Sequence, residues 1–182
     1  MRADAARRRE AIIRHARHVF AERGGDVALE AVAAASGVGI ATLYRNFPSR
    51  ADLVQAVIAD TVQQILAAVA EAREVAGRDA PAAWEQLLSA LTGLELGALT
   101  DGLGLQAEHG GLAELQQPAL EALDELLAQL RREGAVRPDI SALDVIVAVA
   151  TLTRPQVPAI RDAAPEVSSQ LARAYLMWTR SV

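Results

Sequence analysis

The chain has 182 residues, 52% of them hydrophobic, a formal net charge of −5 and no cysteine, which excludes disulfides, thiolate nucleophiles and cysteine-based metal sites together. Its longest strongly apolar uncharged stretch, residues 145–153, falls far short of the roughly 20 residues that a membrane span takes, and the N-terminal arginines precede no apolar core with a small-residue cleavage site, so a soluble, cytoplasmic protein without a membrane partner is expected. The net charge hides an asymmetry: residues 1–50 carry nine Arg against five acids, +4, and the remainder nine Arg against eighteen acids, −9, the pattern of a chain that meets a polyanion at one end, or else a chance fluctuation of about four charges.

Ala, Leu, Arg, Glu and Gln dominate, and apolar residues recur every three or four positions, so the predicted fold is all-α. The first helix covers about residues 8–23, with Ile12, Ala16, Val19 and Phe20 on one stripe and Arg14 and Arg17 away from it; Gly24 and Gly25 stop it. Short helices over residues 29–35 and 40–47 flank Ser36, Gly37 and Val38, and Pro48 ends the second. A long helix over residues 50–75 carries Leu53, Val57, Ile58, Val62, Ile65, Leu66 and Val69 on a 3.6-residue stripe. Residues 77–81 close it, and a helix over 82–98 follows with Trp84, Leu87, Leu88 and Leu91. Glycines at 97, 102, 104, 110 and 111 then predict short or broken helical pieces. Pro118 suits the first turn of the next helix, which carries Leu120, Leu123, Leu126, Leu127 and Leu130 and ends near Gly134. Two helices remain, residues 142–153 with Ser141 as N-cap and residues 165–180, joined by a proline-containing link over 155–164. The division into domains falls near residue 50: 1–50 as an N-terminal helical head and 51–182 as a helical body, with the long helix belonging to both.

The informative element is the helix, tight turn and helix from Leu29 to Phe47. Ala33 lets the two helices approach closely, Gly37 can take a positive φ at the turn, and Val32, Val38 and Leu43 supply the contacts that fix the crossing. The second helix then presents Ala41, Thr42, Tyr44, Arg45 and Asn46, groups suited to base edges and phosphates in a major groove. Taken alone, the pair fits equally well a generic pair of helices in an all-α core. Arg7, Arg8 and Arg9 stand where a helix N-terminus disfavours cations, which reads either as phosphate binding or as a frayed basic end.

The run from Gly39 through Tyr44, Phe47, Pro48 and Arg50 to Leu53 closely resembles the recognition-helix signature of the TetR (tetracycline-repressor-like) family of transcriptional regulators, and the likeness extends from about residue 11 to residue 57, with Ala16, Phe20, Gly24 and the Val32–Ala33 pair. The resemblance implies an N-terminal three-helix, helix-turn-helix DNA-binding domain followed by a helical dimerisation and ligand domain. It implies double-stranded DNA as partner, with Leu29, Ile40, Ala41, Thr42, Tyr44, Arg45, Asn46 and Arg50 as the DNA-binding set. Tyr44 would touch phosphate, and Arg50 would replace the lysine usual at a phosphate-binding position. Ala28 stands where a capping hydroxyl is usual, Gly39 replaces a frequent serine, and Ile40 either packs or meets a thymine methyl group.

For the body, the resemblance implies a homodimer and a small-molecule effector whose binding releases a repressor from a palindromic operator. The apolar helix over residues 143–152 and the last helix offer Val145, Val149, Leu152, Val167, Leu171, Ala174, Tyr175 and Trp178 for a four-helix interface between two copies, or for internal core. A ligand pocket is sought among Trp84, Leu88, Leu91, Leu105, His109, Leu123 and Met177. The three histidines have no metal-ligand spacing, and neither a phosphate loop nor a nucleophile elbow occurs, so neither catalysis, a cofactor nor a metal is expected. Two other readings stand beside the repressor: a regulator of the same fold without an effector, and a helical interaction scaffold that does not bind DNA.

Overall fold

The computed structural model describes residues 2–24, 26–102 and 112–180, and among these residues every regular element is a helix. In chain order they are α1 (Arg2–Arg23), α2 (Leu29–Ala35), α3 (Ile40–Asn46), α4 (Arg50–Ala76), α5 (Ala80–Gly93), α6 (Leu96–Gly102), α7 (Leu112–Arg132), α8 (Ala142–Leu152), α9 (Pro158–Ala163) and α10 (Val167–Thr179). The chain forms two compact units. One runs to Thr61 and is rejoined by a stretch from Ala98; the other holds Val62–Gly97 and the helices from α7 onward.

In the first unit, the α1 stripe of Ile12, Ala16 and Phe20 packs with Val32 of α2, Leu43 and Phe47 around α3, and Leu53 and Val57 of α4, all 1% exposed or less. Gly24, at φ +85°, ends α1 with its N–H on the Phe20 carbonyl at 2.9 Å. Gly37, at φ +66°, does the same for α2. The Val38 N–H reaches the Ala33 carbonyl at 3.0 Å and the Gly37 N–H the Ala34 carbonyl at 3.1 Å, the paired bonds of a Schellman motif, with Val38 as its apolar residue. The turn that aims α3 is therefore set by a residue with no Cβ. Arg17 of α1 adds an ion pair to Asp60 of α4 at 3.5 Å.

The second unit is built on α4, α5, α7 and α8, with Val69, Trp84, Leu87, Leu91, Leu123, Leu126, Leu127, Leu130, Val145 and Val149 almost wholly buried. The Trp84 indole N–H donates to the Thr179 hydroxyl at 2.8 Å, so the largest core side chain is satisfied by the end of α10. Ser141 caps α8 as expected, in a full capping box with Asp144. The hydrogen bonds to Ser141 hold the Asp144 carboxyl below its ordinary value.

Three expected boundaries shift. The helix expected over 82–98 breaks into α5 and α6 at Glu95, which takes a positive φ of 52° without being glycine. The break brings Gly97 against the end of α8: its N–H donates to the Thr153 hydroxyl at 2.8 Å, and an added Cβ would collide with the Ala150 carbonyl. Helix α7 starts at Leu112, which puts Pro118 inside it rather than in its first turn; one backbone hydrogen bond is lost there. The link after α8 contains the short α9, entered through Pro158. Helix α4 is long and apolar enough, by length and composition, to cross a membrane. Its buried residues Leu53, Val57, Val62, Ile65 and Val69 belong to the cores of the two units, the use that a globular fold makes of such a stripe.

Candidate nucleic-acid interface

Helix α3 is held by its inner face. Leu43 and Phe47 are buried in the head's core, and Gly39, extended at φ −71° and ψ 149°, is its N-cap without a side-chain bond. Phe47 leaves the helix in an extended conformation just before Pro48. This anchoring turns Ala41, Tyr44 and Arg45 outward, Tyr44 at 46% exposure, with Thr42 half-buried beside them. Arg45 folds back along the helix and donates from Nη2 to the Thr42 hydroxyl at 2.7 Å. Asn46 donates from Nδ2 to the Thr42 carbonyl at 2.8 Å.

The start of α1 lies on the same unit. Arg7, Arg8, Arg9 and Arg14 are exposed and helical, in place of a frayed end. Arg8 pairs with Asp4 at 3.1 Å, and the Arg9 guanidinium stands 4.8 Å over the Phe47 ring, a cation–π contact that ties this basic stretch to the end of α3. The arrangement offers donors and positive charge around an exposed helix face, the chemistry that a phosphate-lined groove accepts.

Three members of the expected DNA-binding set sit differently. Leu29 is 5% exposed and part of the head's core, so it is withdrawn as a contact; as the first residue of α2 it lies on the face packed against α1. Ile40 packs against the same core, one turn ahead of Leu43, which favours packing over a thymine methyl contact. Arg50 is half-buried and donates from Nη2 to the Val27 carbonyl at 2.7 Å, bracing the turn between α1 and α2. Ala28 caps α2 without a side-chain bond, as its identity dictates. Sequence reasoning missed the start of α4, where the Asp52 N–H donates to the Ser49 hydroxyl at 3.1 Å and the Ser49 N–H to the Asp52 carboxylate at 2.9 Å. The spacing of Ser49, three residues before Asp52, carried that signal.

In the second unit, Trp84, Leu88, Leu91 and Leu123 are brought together in the core, whereas Met177 is 72% exposed and does not join them. Leu105 and His109 lie outside the described residues. Of the expected interface set, Val145 and Val149 are fully buried within their own unit and are withdrawn, because their side of α8 faces α5 and α7. Leu152 and Val167 are half-buried, and Leu171, Ala174 and Trp178 are exposed. The outer side of α8 instead shows Leu143 at 58% and Val147 at 54% exposure. Tyr175 packs beside Trp178, ring centroids 5.9 Å apart, and its hydroxyl is buried without a hydrogen-bond partner. Burial, and secondarily the charge of Asp144, push the phenol up to about 12. Among the described residues no three potential ligands cluster to hold a metal ion.

Two family models match the sequence, that of bacterial regulatory proteins of the tetR family over residues 12–57 and that of an SbtR-like transcriptional regulator C-terminal domain over residues 89–174. No curated protein matches. Among solved structures, a TetR transcription regulatory protein from Mycobacterium vanbaalenii is 30% identical, with 98% of each chain covered and a TM-score of 0.63. A TetR transcriptional regulator from Streptomyces coelicolor is 27% identical, covering 96% of this chain and 99% of that one, with a TM-score of 0.66. The TetR-like regulator LfrR from Mycobacterium smegmatis, solved in complex with proflavine, shares the fold at 22% identity and a TM-score of 0.68, over 94% of this chain and 93% of that one.

Proposed function

The chain belongs to the TetR family of DNA-binding transcriptional regulators, and from that premise we propose that it is a repressor acting as a homodimer on a palindromic operator and released by a small-molecule effector. Each copy inserts α3 into a major groove, and the twofold axis relates half-sites about 34–36 Å apart or a multiple of that. The observation that carries this reading is the outward face of α3, where Ala41, Thr42, Tyr44 and Arg45 stand exposed or half-exposed over a buried anchor of Leu43 and Phe47.

The dimer interface we assign to the outer side of α8 and to α10, through Leu143, Val147, Leu171, Ala174 and Trp178, packed against the same residues of a second copy. Their exposure supports it, since apolar groups at helical spacing are costly to leave in water. The effector site we assign to the second unit around Trp84, Leu88, Leu91 and Leu123, whose apolar surroundings suit a largely apolar molecule. LfrR was solved in complex with proflavine; here the aromatic content is 3%, so an aliphatic ligand fits better than a stacked one. An effector that stabilises another spacing of the heads weakens operator binding, and DNA reciprocally weakens the effector.

A regulator without an effector is favoured by one observation, that the Trp84 N–H is already satisfied by Thr179. Titrating candidate metabolites into the operator complex separates the two readings. The reading as a whole is tested by binding to the DNA that flanks its own gene at two salt concentrations. Affinity is expected to fall steeply with salt and to be lost in Tyr44→Ala with an unchanged melting temperature. Salt-insensitive binding, or full binding by the variant, overturns it.

A further inference from the structure

We propose that Arg45 is the residue that fixes a guanine in each operator half-site, and that the Thr42 hydroxyl is its positioning group; this rests on α3 being the groove-reading helix. Arg45 does not extend sideways from α3. Its Nη2 donates to the Thr42 hydroxyl at 2.7 Å, three residues back, so the guanidinium is carried toward the first turn of a helix that runs Ile40–Asn46. Recognition helices meet base edges mainly through their N-terminal residues, whereas a side chain aimed along the flank of the helix meets the phosphates. Ala41, exposed beside the pair, has only a methyl group and lets this end of the helix approach the groove floor.

The donor count agrees. A guanidinium has five N–H groups arranged so that Nη2 takes part in two two-donor edges, one shared with Nε and one with Nη1. The bond to Thr42 uses one hydrogen of Nη2 and leaves the other edge whole. In the major groove, guanine alone presents two adjacent acceptors, O6 and N7, to such an edge; adenine offers N7 beside the N6 donor group, cytosine a donor, and thymine a single oxygen. Asn46 has one Nδ2 hydrogen on the Thr42 carbonyl at 2.8 Å, and its amide edge pairs a donor with an acceptor, which matches adenine and not guanine. The Thr42 hydroxyl that Arg45 touches thus sets both its direction and the edge it presents.

The test is selection of binding sequences from a random DNA library by the full-length protein, followed by affinity measurements on the selected operator and on the same operator with one G replaced by A in each half-site. For the wild-type protein the selected motif contains a G·C pair at one position of each half-site, and its replacement costs about ten- to a hundredfold in affinity for each half-site changed. In Arg45→Ala that ratio falls to near one while preferences at other positions stay. Thr42→Val lowers the ratio, and Thr42→Ser, which keeps the hydroxyl, restores it. Helical content and melting temperature of the variants are followed alongside, Arg45 being exposed. If Arg45→Ala weakens binding to all sequences alike, keeps the G preference and flattens the salt dependence by about one phosphate contact, Arg45 is a backbone contact and the proposal is overturned while α3 remains the reading helix. An unchanged ratio in Thr42→Val overturns the positioning role. A wild-type protein that selects no sequence overturns this proposal together with the reading of α3.

Discussion

At the scale of single residues, two side chains do something other than their type suggests. Arg50 belongs by resemblance to the phosphate-binding set, yet its guanidinium is bound to the Val27 carbonyl at 2.7 Å. A charged hydrogen bond in a half-buried place contributes about 1–3 kcal/mol, most of it felt as the carbonyl left behind. Arg50→Ala is therefore expected to lower the melting temperature as well as DNA affinity; an unchanged melting curve would show that the bond contributes nothing. Tyr175 is the opposite case, a hydroxyl buried with no partner. Replacing it with Phe removes an unsatisfied polar group, so stability at neutral pH is expected to stay level or rise. The phenol, normally near 10, is pushed up to about 12 by burial. A folded-state value above the unfolded one means that no stability is lost below about pH 10, and that it drains away between pH 10 and 12 as the unfolded chain ionises first. Melting curves across that range should slope downward for the natural protein and more weakly for Tyr175→Phe; equal slopes would refute the assignment.

At the scale of elements, much could be read in the sequence where the cause is local. Gly24 and Gly37 stop their helices by a positive φ, and Ser141 caps α8, each within a few residues of the signal. What could not be read depends on partners distant in sequence. Gly97 announced broken helix, but the break between α5 and α6 falls at Glu95 and is tied to Gly97 meeting the end of α8, more than 50 positions onward, a partner that residues 82–98 do not show. Likewise an apolar helix such as α8 does not say which of its sides is inner: Val145 and Val149 sit inside, Leu143 and Val147 outside. The outward placement of Thr42, Tyr44 and Arg45 was legible from their spacing against the anchors Leu43 and Phe47, whereas the burial of Leu29 was not, because only the packing of α2 on α1 decides it. The Gly97 junction gives a sharp test. A Cβ there meets backbone, which cannot swing aside, so Gly97→Ala is expected to cost about 3 kcal/mol by overpacking, read as a drop in melting temperature. A loss under half that would mean that α6 can shift at little expense.

At the scale of the whole molecule, the first 50 residues carry +4 and the remainder −9, a split that suits a chain meeting a polyanion at its N-terminal end. The dimer is argued from exposed apolar residues, and Val147 is its sharpest probe, since it is 54% exposed on one copy and would be buried in the pair. Val147→Glu puts a charge where it would have to be desolvated. Sedimentation at micromolar concentration is expected to find monomers, with operator affinity reduced more than tenfold and the helical content intact. A variant that remains dimeric would move the interface elsewhere.

Helix α4 has a practical bearing on anyone who would exchange the heads of such regulators. The chain first passes from one unit to the other between Thr61 and Val62, in the middle of Arg50–Ala76, so at that crossing there is no linker at which to cut. A graft must be spliced inside a continuous helix, where each residue advances the face by about 100°. A splice placed between Val62 and Val69 and wrong by a single residue would carry part of that stripe out of the second unit's core, and such a chimera is expected to fold only if the donor and the recipient share the same helical phase.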